Sequence, residues 1–222
     1  MVKIEAEKNG KFKHHCGGSL ISPNFILTAA HCLENFNTRN FRLILGIDDI
    51  TQEQPFQQNR KIKRSFLHPN YDNQKVYFDI ALIEMDQKVD YNGGIHPICL
   101  PEKPVLNVDS RQNDLATLTG WGSQFRADQS QSTKLRVSKL SIFSHNFCNE
   151  SYDVGGFVGN SIKNSMPRLF QSSLLCAGYE VQISLFNINI IFRNSEMETC
   201  RKNRWLLTLQ KGATFITRRL RD

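Results

Sequence analysis

The run Leu27-Thr28-Ala29-Ala30-His31-Cys32 holds the residue of this chain best suited to moving a proton. It closely follows Cys16-Gly17-Gly18-Ser19-Leu20-Ile21-Ser22. Ala29 and Ala30 leave room around the imidazole, and Cys32 could tether the turn back to Cys16. Such a clamp would hold a base still at the edge of a cleft, as general-base catalysis requires. Two blander readings stand beside it: a core histidine, or a zinc site drawn from His14, His15, Cys16, His31 and Cys32. Zinc sites usually show two short-spaced ligand pairs, and these spacings do not fit that pattern.

A second candidate is Asp79, flanked by Phe78 and Ile80 at the start of an apolar run. Burying a carboxylate there is costly unless a partner waits for it. Taken alone, Asp79 reads as a strand-end cap. Other blocks follow the histidine block in order: His68-Pro69-Asn70-Tyr71, Asp79-Ile80-Ala81-Leu82, Pro97-Ile98-Cys99-Leu100-Pro101, Thr119-Gly120-Trp121-Gly122 and Leu175-Cys176-Ala177-Gly178. Together they resemble the trypsin-like serine proteases, the chymotrypsin-fold S1 family, over about residues 1 to 179.

The resemblance implies an all-β chain of two six-stranded antiparallel β-barrels, the second incomplete. It implies peptide-bond hydrolysis through an acyl-enzyme with no cofactor and no metal, and a polypeptide substrate or inhibitor as partner. His31 matches the base and Asp79 the carboxylate that fixes its tautomer. The implied disulfides are Cys16–Cys32 and Cys148–Cys176, which leaves Cys99 and Cys200 over. Cys148-Asn149-Glu150-Ser151-Tyr152 and Gly155-Gly156 are similar to the testis-type transmembrane serine proteases. The implied location is extracellular, or the ectodomain of a membrane-tethered protein. Six cysteines agree with an oxidising compartment. Asn149 opens the only glycosylation sequon. Met1-Val2-Lys3-Ile4-Glu5 is charged where a signal peptide would be apolar.

The resemblance stops where the nucleophile should be. A Gly-Asp-Ser-Gly-Gly-Pro block is expected shortly after Cys176, and no Gly-x-Ser-Gly string occurs beyond Gly178. Val181 to Phe192 is apolar and rich in isoleucine, and Ser195 lacks flanking glycines. Those glycines matter because the backbone N–H groups of the block form the oxyanion hole, one donor being worth about 2.7–4 kcal/mol. Glu198-Thr199-Cys200 resembles the family's Asp-x-Cys, which would put Glu198 at the floor of the specificity pocket. The expectation is a family member retaining base and carboxylate but inactive as a peptidase. The alternatives are a pseudoprotease module that binds peptides or inhibitors, and an enzyme using Ser184 or Ser195. Residues 181 to about 195 also read as translated intron, with the frame lost after Cys200.

The elements that must position these residues read as short strands between turns, the pattern of a β-barrel protein. Candidate strands are Gly17 to Ile21, Phe25 to Thr28, Phe41 to Leu45, Lys61 to Leu67, Ile80 to Met85, Ala116 to Gly120, Leu135 to Phe143 and Ser173 to Ala177. The first residues read as a further strand. Ser144 is the expected N-cap of a short helix over 144–150. The expected protease domain is 1–180, with its first barrel at about 1–100 and its second beginning at about 115. A basic tail over 181–222 replaces the serine block. The net charge of +7 sits largely in that tail, where seven Lys or Arg face one acid from Arg201 onward. No nucleic-acid motif accompanies it, so nucleic acid is not an expected partner. No apolar run reaches the roughly 18 residues a transmembrane helix needs.

Overall fold

Val2, Ile4 and Ala6 alternate with Lys3 and Glu5, the period-2 pattern of a strand with one face in a core. That pattern makes Val2–Lys8 (β1) an inner strand of the first barrel, paired on one side with Lys11–Leu20 (β2) and on the other with Phe41–Leu45 (β4). Phe25–Thr28 (β3), Gln58–Arg60 (β5), Ile62–Leu67 (β6) and Ala81–Met85 (β7) complete an antiparallel sheet ordered β5-β4-β1-β2-β3-β7-β6. The computed structural model describes residues 1–34, 37–74, 77–100, 114–122, 132–147, 175–179, 182–186 and 206–208.

The two ends of that strand order are one stretch of chain, since Lys61 alone separates β5 from β6. The sheet therefore curls back on itself, and six runs of chain wall a barrel. The corner is pinned reciprocally: the Lys61 N–H donates to Asp86 Oδ1 at 2.9 Å, and the Asp86 N–H to the Lys61 carbonyl at 3.0 Å. Ile4, Ile26, Leu43, Leu45, Ile83 and Met85 fill the interior, each fully buried. Gly18 explains part of the Cys-Gly-Gly motif. A Cβ built on it would come within 2.6 Å of Ile26 Cγ2, so only glycine lets β2 lie this close to β3.

The second sheet runs Leu115–Gly120 (β8), Arg136–Phe143 (β9), Leu175–Tyr179 (β10) and Gln182–Phe186 (β11) as an antiparallel meander. The expectation of an incomplete second barrel meets a five-stranded sheet among the described residues. Its fifth member, Leu206–Thr208 (β12), pairs parallel with β8. Strands β11 and β12 lie in the stretch read from sequence as atypical tail. Ser144 does cap: its Oγ accepts from the Phe147 N–H at 3.1 Å, and 145–147 are helical.

The two sheets meet at Trp121. The ring is 2% exposed and packs with Ile44 and Ile47 of the first barrel, with Met1, Ile50 and Leu135 at the margin. The Asp48 carbonyl accepts from the Trp121 indole N–H at 2.9 Å and from the Leu135 N–H at 2.6 Å. The Ile50 N–H donates to the Thr133 carbonyl at 2.8 Å. Beside this seam lies a buried ion cluster. Lys3 Nζ meets Glu5 Oε1 at 2.7 Å and the Ile50 carbonyl at 3.3 Å, and Arg42 Nε reaches Glu5 Oε2 at 2.7 Å.

Two outcomes are expected. Trp121→Ala should lower the unfolding free energy by about 3–5 kcal/mol in urea titration, the usual cost of emptying a buried aromatic site. Glu5 carries a pH signature. Burial alone would raise its carboxyl, but Lys3 and Arg42 override burial and hold it below the ordinary range. A carboxyl depressed by folding stabilises above its unfolded value, about 4.3, and that stability is lost as pH falls through the folded value. Glu5→Gln should therefore cost about 1.5–3 kcal/mol at pH 7, and the gap to wild type should close on acidification to about pH 3.

Candidate active site

Strand β3 ends at Thr28, and the chain turns at once. Ala29 remains extended, and a single 3-10 turn covers Ala30–Cys32. The turn is closed by Cys32 N–H to the Ala29 carbonyl at 3.3 Å and Leu33 N–H to the Ala30 carbonyl at 2.9 Å. Both alanines are buried, so the small side chains are what allow the turn to lie against the barrel end. Three contacts hold it there. Cys32 is disulfide-bonded to Cys16 on β2. Thr28 Oγ1 donates to the Gly17 carbonyl at 2.9 Å, and the His15 ring approaches the Cys32 carbonyl at 3.0 Å through Nε2. In the chain-entropy account, cross-linking a loop of this size is worth roughly 3 kcal/mol.

Asp79 reaches this turn from just before β7. One oxygen, Oδ1, accepts from the His31 backbone N–H at 2.8 Å, and Oδ2 lies 2.6 Å from His31 Nδ1. The carboxylate side chain is 3% exposed while the imidazole is 31% exposed. A carboxylate only accepts, so Nδ1 carries the hydrogen and Nε2 is the basic nitrogen. Cys32 Sγ lies 3.5 Å from Nε2. The zinc reading fails on its ligands: Cys16, His31 and Cys32 do cluster within 4.8 Å, but both sulfurs are spent in the disulfide.

The approach to Asp79 is strained. Phe78 has φ of 51°, a left-handed conformation that bulky residues rarely adopt. The Ile80 N–H folds back to the Phe78 carbonyl at 2.7 Å, and the His68 N–H donates to the Ile80 carbonyl at 3.0 Å. The Phe78 ring stacks on His68, centroids 4.8 Å apart and planes 8° from parallel. Tyr71 braces the other flank, its hydroxyl donating to Glu34 Oε2 at 3.2 Å. Burial first, then the Asp79 and Glu34 carboxylates, push the Tyr71 phenol above its ordinary range, so it stays protonated.

The structure thus joins His31 with Asp79 and Cys16 with Cys32. Cys176 on β10 is a half-cystine, and so is Cys99, which the family pattern leaves over; their partners lie outside the described residues. Cys148, Asn149, Ser195, Glu198 and Cys200 also lie outside the described residues. Ser184 sits on β11, opposite Ala177. Sequence reasoning named His15 only as a zinc candidate and missed its contact to the Cys32 carbonyl, Tyr71 with Glu34, and the turn at Phe78. The His-Pro-Asn-Tyr block marked the second of these without giving its role, and nothing about a phenylalanine signals positive φ.

Comparison with known proteins extends this picture. The Trypsin family model matches residues 1–184. Transmembrane protease serine 11B of Homo sapiens is 31% identical over 176 residues, 79% of this chain and 38% of its own length. The clotting factor G beta subunit of Tachypleus tridentatus is 31% identical over 170 residues, 74% of this chain and 51% of its own. The atrial natriuretic peptide-converting enzyme of Homo sapiens is 28% identical over 179 residues, 80% of this chain and 15% of its own. The chain therefore spans about half or less of the length of these curated relatives. No helix among the described residues is long and apolar enough to cross a membrane.

The strain at Phe78 is testable with a matched pair. Phe78→Ala and Phe78→Gly both delete the His68 stack, but only glycine adopts positive φ at no steric cost. Phe78→Gly should be the more stable of the two by about 1 kcal/mol in urea titration.

Proposed function

This chain belongs to the trypsin family of serine proteases, and we propose that His31 and Asp79 are the base and orienting carboxylate of its triad, in a polypeptide whose nucleophile block is missing. The observation that carries this reading is the double contact from Asp79 to His31, at 2.8 Å on the backbone N–H and 2.6 Å on Nδ1. It fixes the ring and its tautomer together, and leaves Nε2 to take a proton from an attacking hydroxyl.

The second half of the reading rests on sequence. A serine nucleophile needs glycines beside it so that backbone N–H groups converge on the developing oxyanion. Residues 179–222 contain two serines, Ser184 and Ser195, and neither has a glycine neighbour. On this reading the polypeptide does not turn over peptide bonds through a serine acyl-enzyme. Its partner class is polypeptide, bound rather than cleaved, and its setting is extracellular or the ectodomain of a membrane-tethered protein. Glu198 would favour Lys or Arg at the cleavage position in any intact version.

Fluorophosphonate labelling tests the reading on the whole chain. No covalent adduct is expected, and hydrolysis of Lys- and Arg-containing peptide substrates should fall short of a complete triad by on the order of a million-fold. Stoichiometric labelling that disappears in His31→Ala would overturn the inactive reading and identify a working serine. Reversible binding of a peptide inhibitor without turnover would support the binding module.

A further inference from the structure

The outer wall of the first barrel carries a concentration of charge that the triad does not use. Arg60, Lys61, Lys63 and Arg64 fall within five consecutive residues, spanning the β5–β6 corner. A strand should send alternate residues inward, yet Lys63 and Arg64 are adjacent and both exposed. The cause is a bulge. Ile62 pairs with Met85 and Arg64 with Glu84, so Lys63 is an extra residue in β6. Both cations then reach over Glu84, Lys63 Nζ to Oε1 at 2.8 Å and Arg64 Nε to Oε2 at 2.7 Å.

Glu84 is itself buried, while the side chains of Lys63 and Arg64 remain 56% and 62% exposed. The carboxylate therefore works as an anchor beneath two outward cations. Arg64 also lies 5.5 Å over the Phe66 ring, a further restraint on its direction. Arg60 spends its guanidinium on the barrel, donating to the Lys88 carbonyl at 3.1 Å and 2.7 Å. That contact brings Lys88 beside the corner. Lys61 and Lys88 are exposed and form no ion pair among the described residues. The acids near this run are Glu84, Asp86 and Asp90, of which Glu84 is covered and Asp86 caps the Lys61 N–H.

We propose that this stripe, Lys61, Lys63, Arg64 and Lys88, is a docking surface for a linear sulfated polysaccharide. Strand β6 stands at the end of the sheet order, paired with β7 alone among the described strands. What the outer wall offers is a row of cations along an extended stretch, Lys63 and Arg64 anchored on Glu84 from below and the Lys61 and Lys88 ammonium groups in no ion pair among the described residues. That complements a flexible polyanion whose charges recur along its length.

Heparin of defined length is the probe, with binding to the full chain followed by titration calorimetry over a range of salt. Lys61→Ala/Lys63→Ala/Lys88→Ala should raise Kd about tenfold or more and flatten the dependence of log Kd on log salt. Lys8→Ala/Lys11→Ala/Lys13→Ala removes the same charge from the exposed tip of the β1–β2 hairpin, and should change Kd less than about threefold. Equal losses in the two variants would reduce the effect to net charge and overturn the proposal. Tighter binding of polyglutamate than of heparin would also overturn it, making the partner an acidic polypeptide. Should the first variant not fold, Lys61→Ala/Lys88→Ala keeps both contacts to Glu84 and must still weaken heparin binding several-fold.

Discussion

The Asp79 carboxylate is a negative charge taken almost wholly out of water, and the site depends on how that charge is satisfied. A buried ion without partners is costly, and this one is met by two N–H groups of a single residue, His31. Two donors on one residue fix position and rotation together, which one contact could not do. The requirement propagates outward. His31 must sit at the end of β3, so the 3-10 turn, the two alanines and the disulfide to β2 are needed to hold it. Asp79 must arrive from the β7 side, and the left-handed Phe78 is the backbone conformation that delivers it. Strain of about 1–3 kcal/mol at such a residue persists only where the surroundings over-determine it. The His68 stack and the closed turn at Ile80 supply that.

The docking of the second sheet follows a different logic. Trp121 buries apolar area against Ile44 and Ile47, while its indole N–H and the Leu135 N–H share the Asp48 carbonyl. The hydrophobic term gives affinity between the sheets, and the shared acceptor fixes their register. Lys3 and Glu5 sit on the same strand as Val2 and Ile4 but face the other way. They are buried because the neighbouring chain covers the outer wall there. Ion pairs in that position contribute little net stability but are costly to break.

Much of this was legible in the sequence, because period and motif are local. Phe25–Thr28 and Phe41–Leu45 emerge with the bounds their apolar content implies, and the pairing of His31 with Asp79 follows from ordered blocks. What was not legible is non-local or conformational. The short β5 has three polar residues, Gln58, Asn59 and Arg60, and is a strand only because β4 lies alongside it. The β6 bulge depends on the partner strand. Strands β11 and β12 exist by pairing with β10 and β8, which no property of their own residues announces. The positive φ of Phe78 is imposed by what Asp79 must reach.

The proposed function separates two halves that a triad normally unites. The proposed base and carboxylate both belong to the first barrel, between β3 and β7. A nucleophile and its oxyanion donors must come from a glycine-rich turn, since side chains on both sides would keep a substrate carbonyl from converging N–H groups. Val181 to Phe192 has no glycine, and its first half continues the sheet as β11. A strand hydrogen-bonded to β10 directs its N–H groups along the sheet, not toward a cleft. Among the described residues, both contacts from Asp79 to His31 lie within the first barrel, between the end of β3 and the approach to β7.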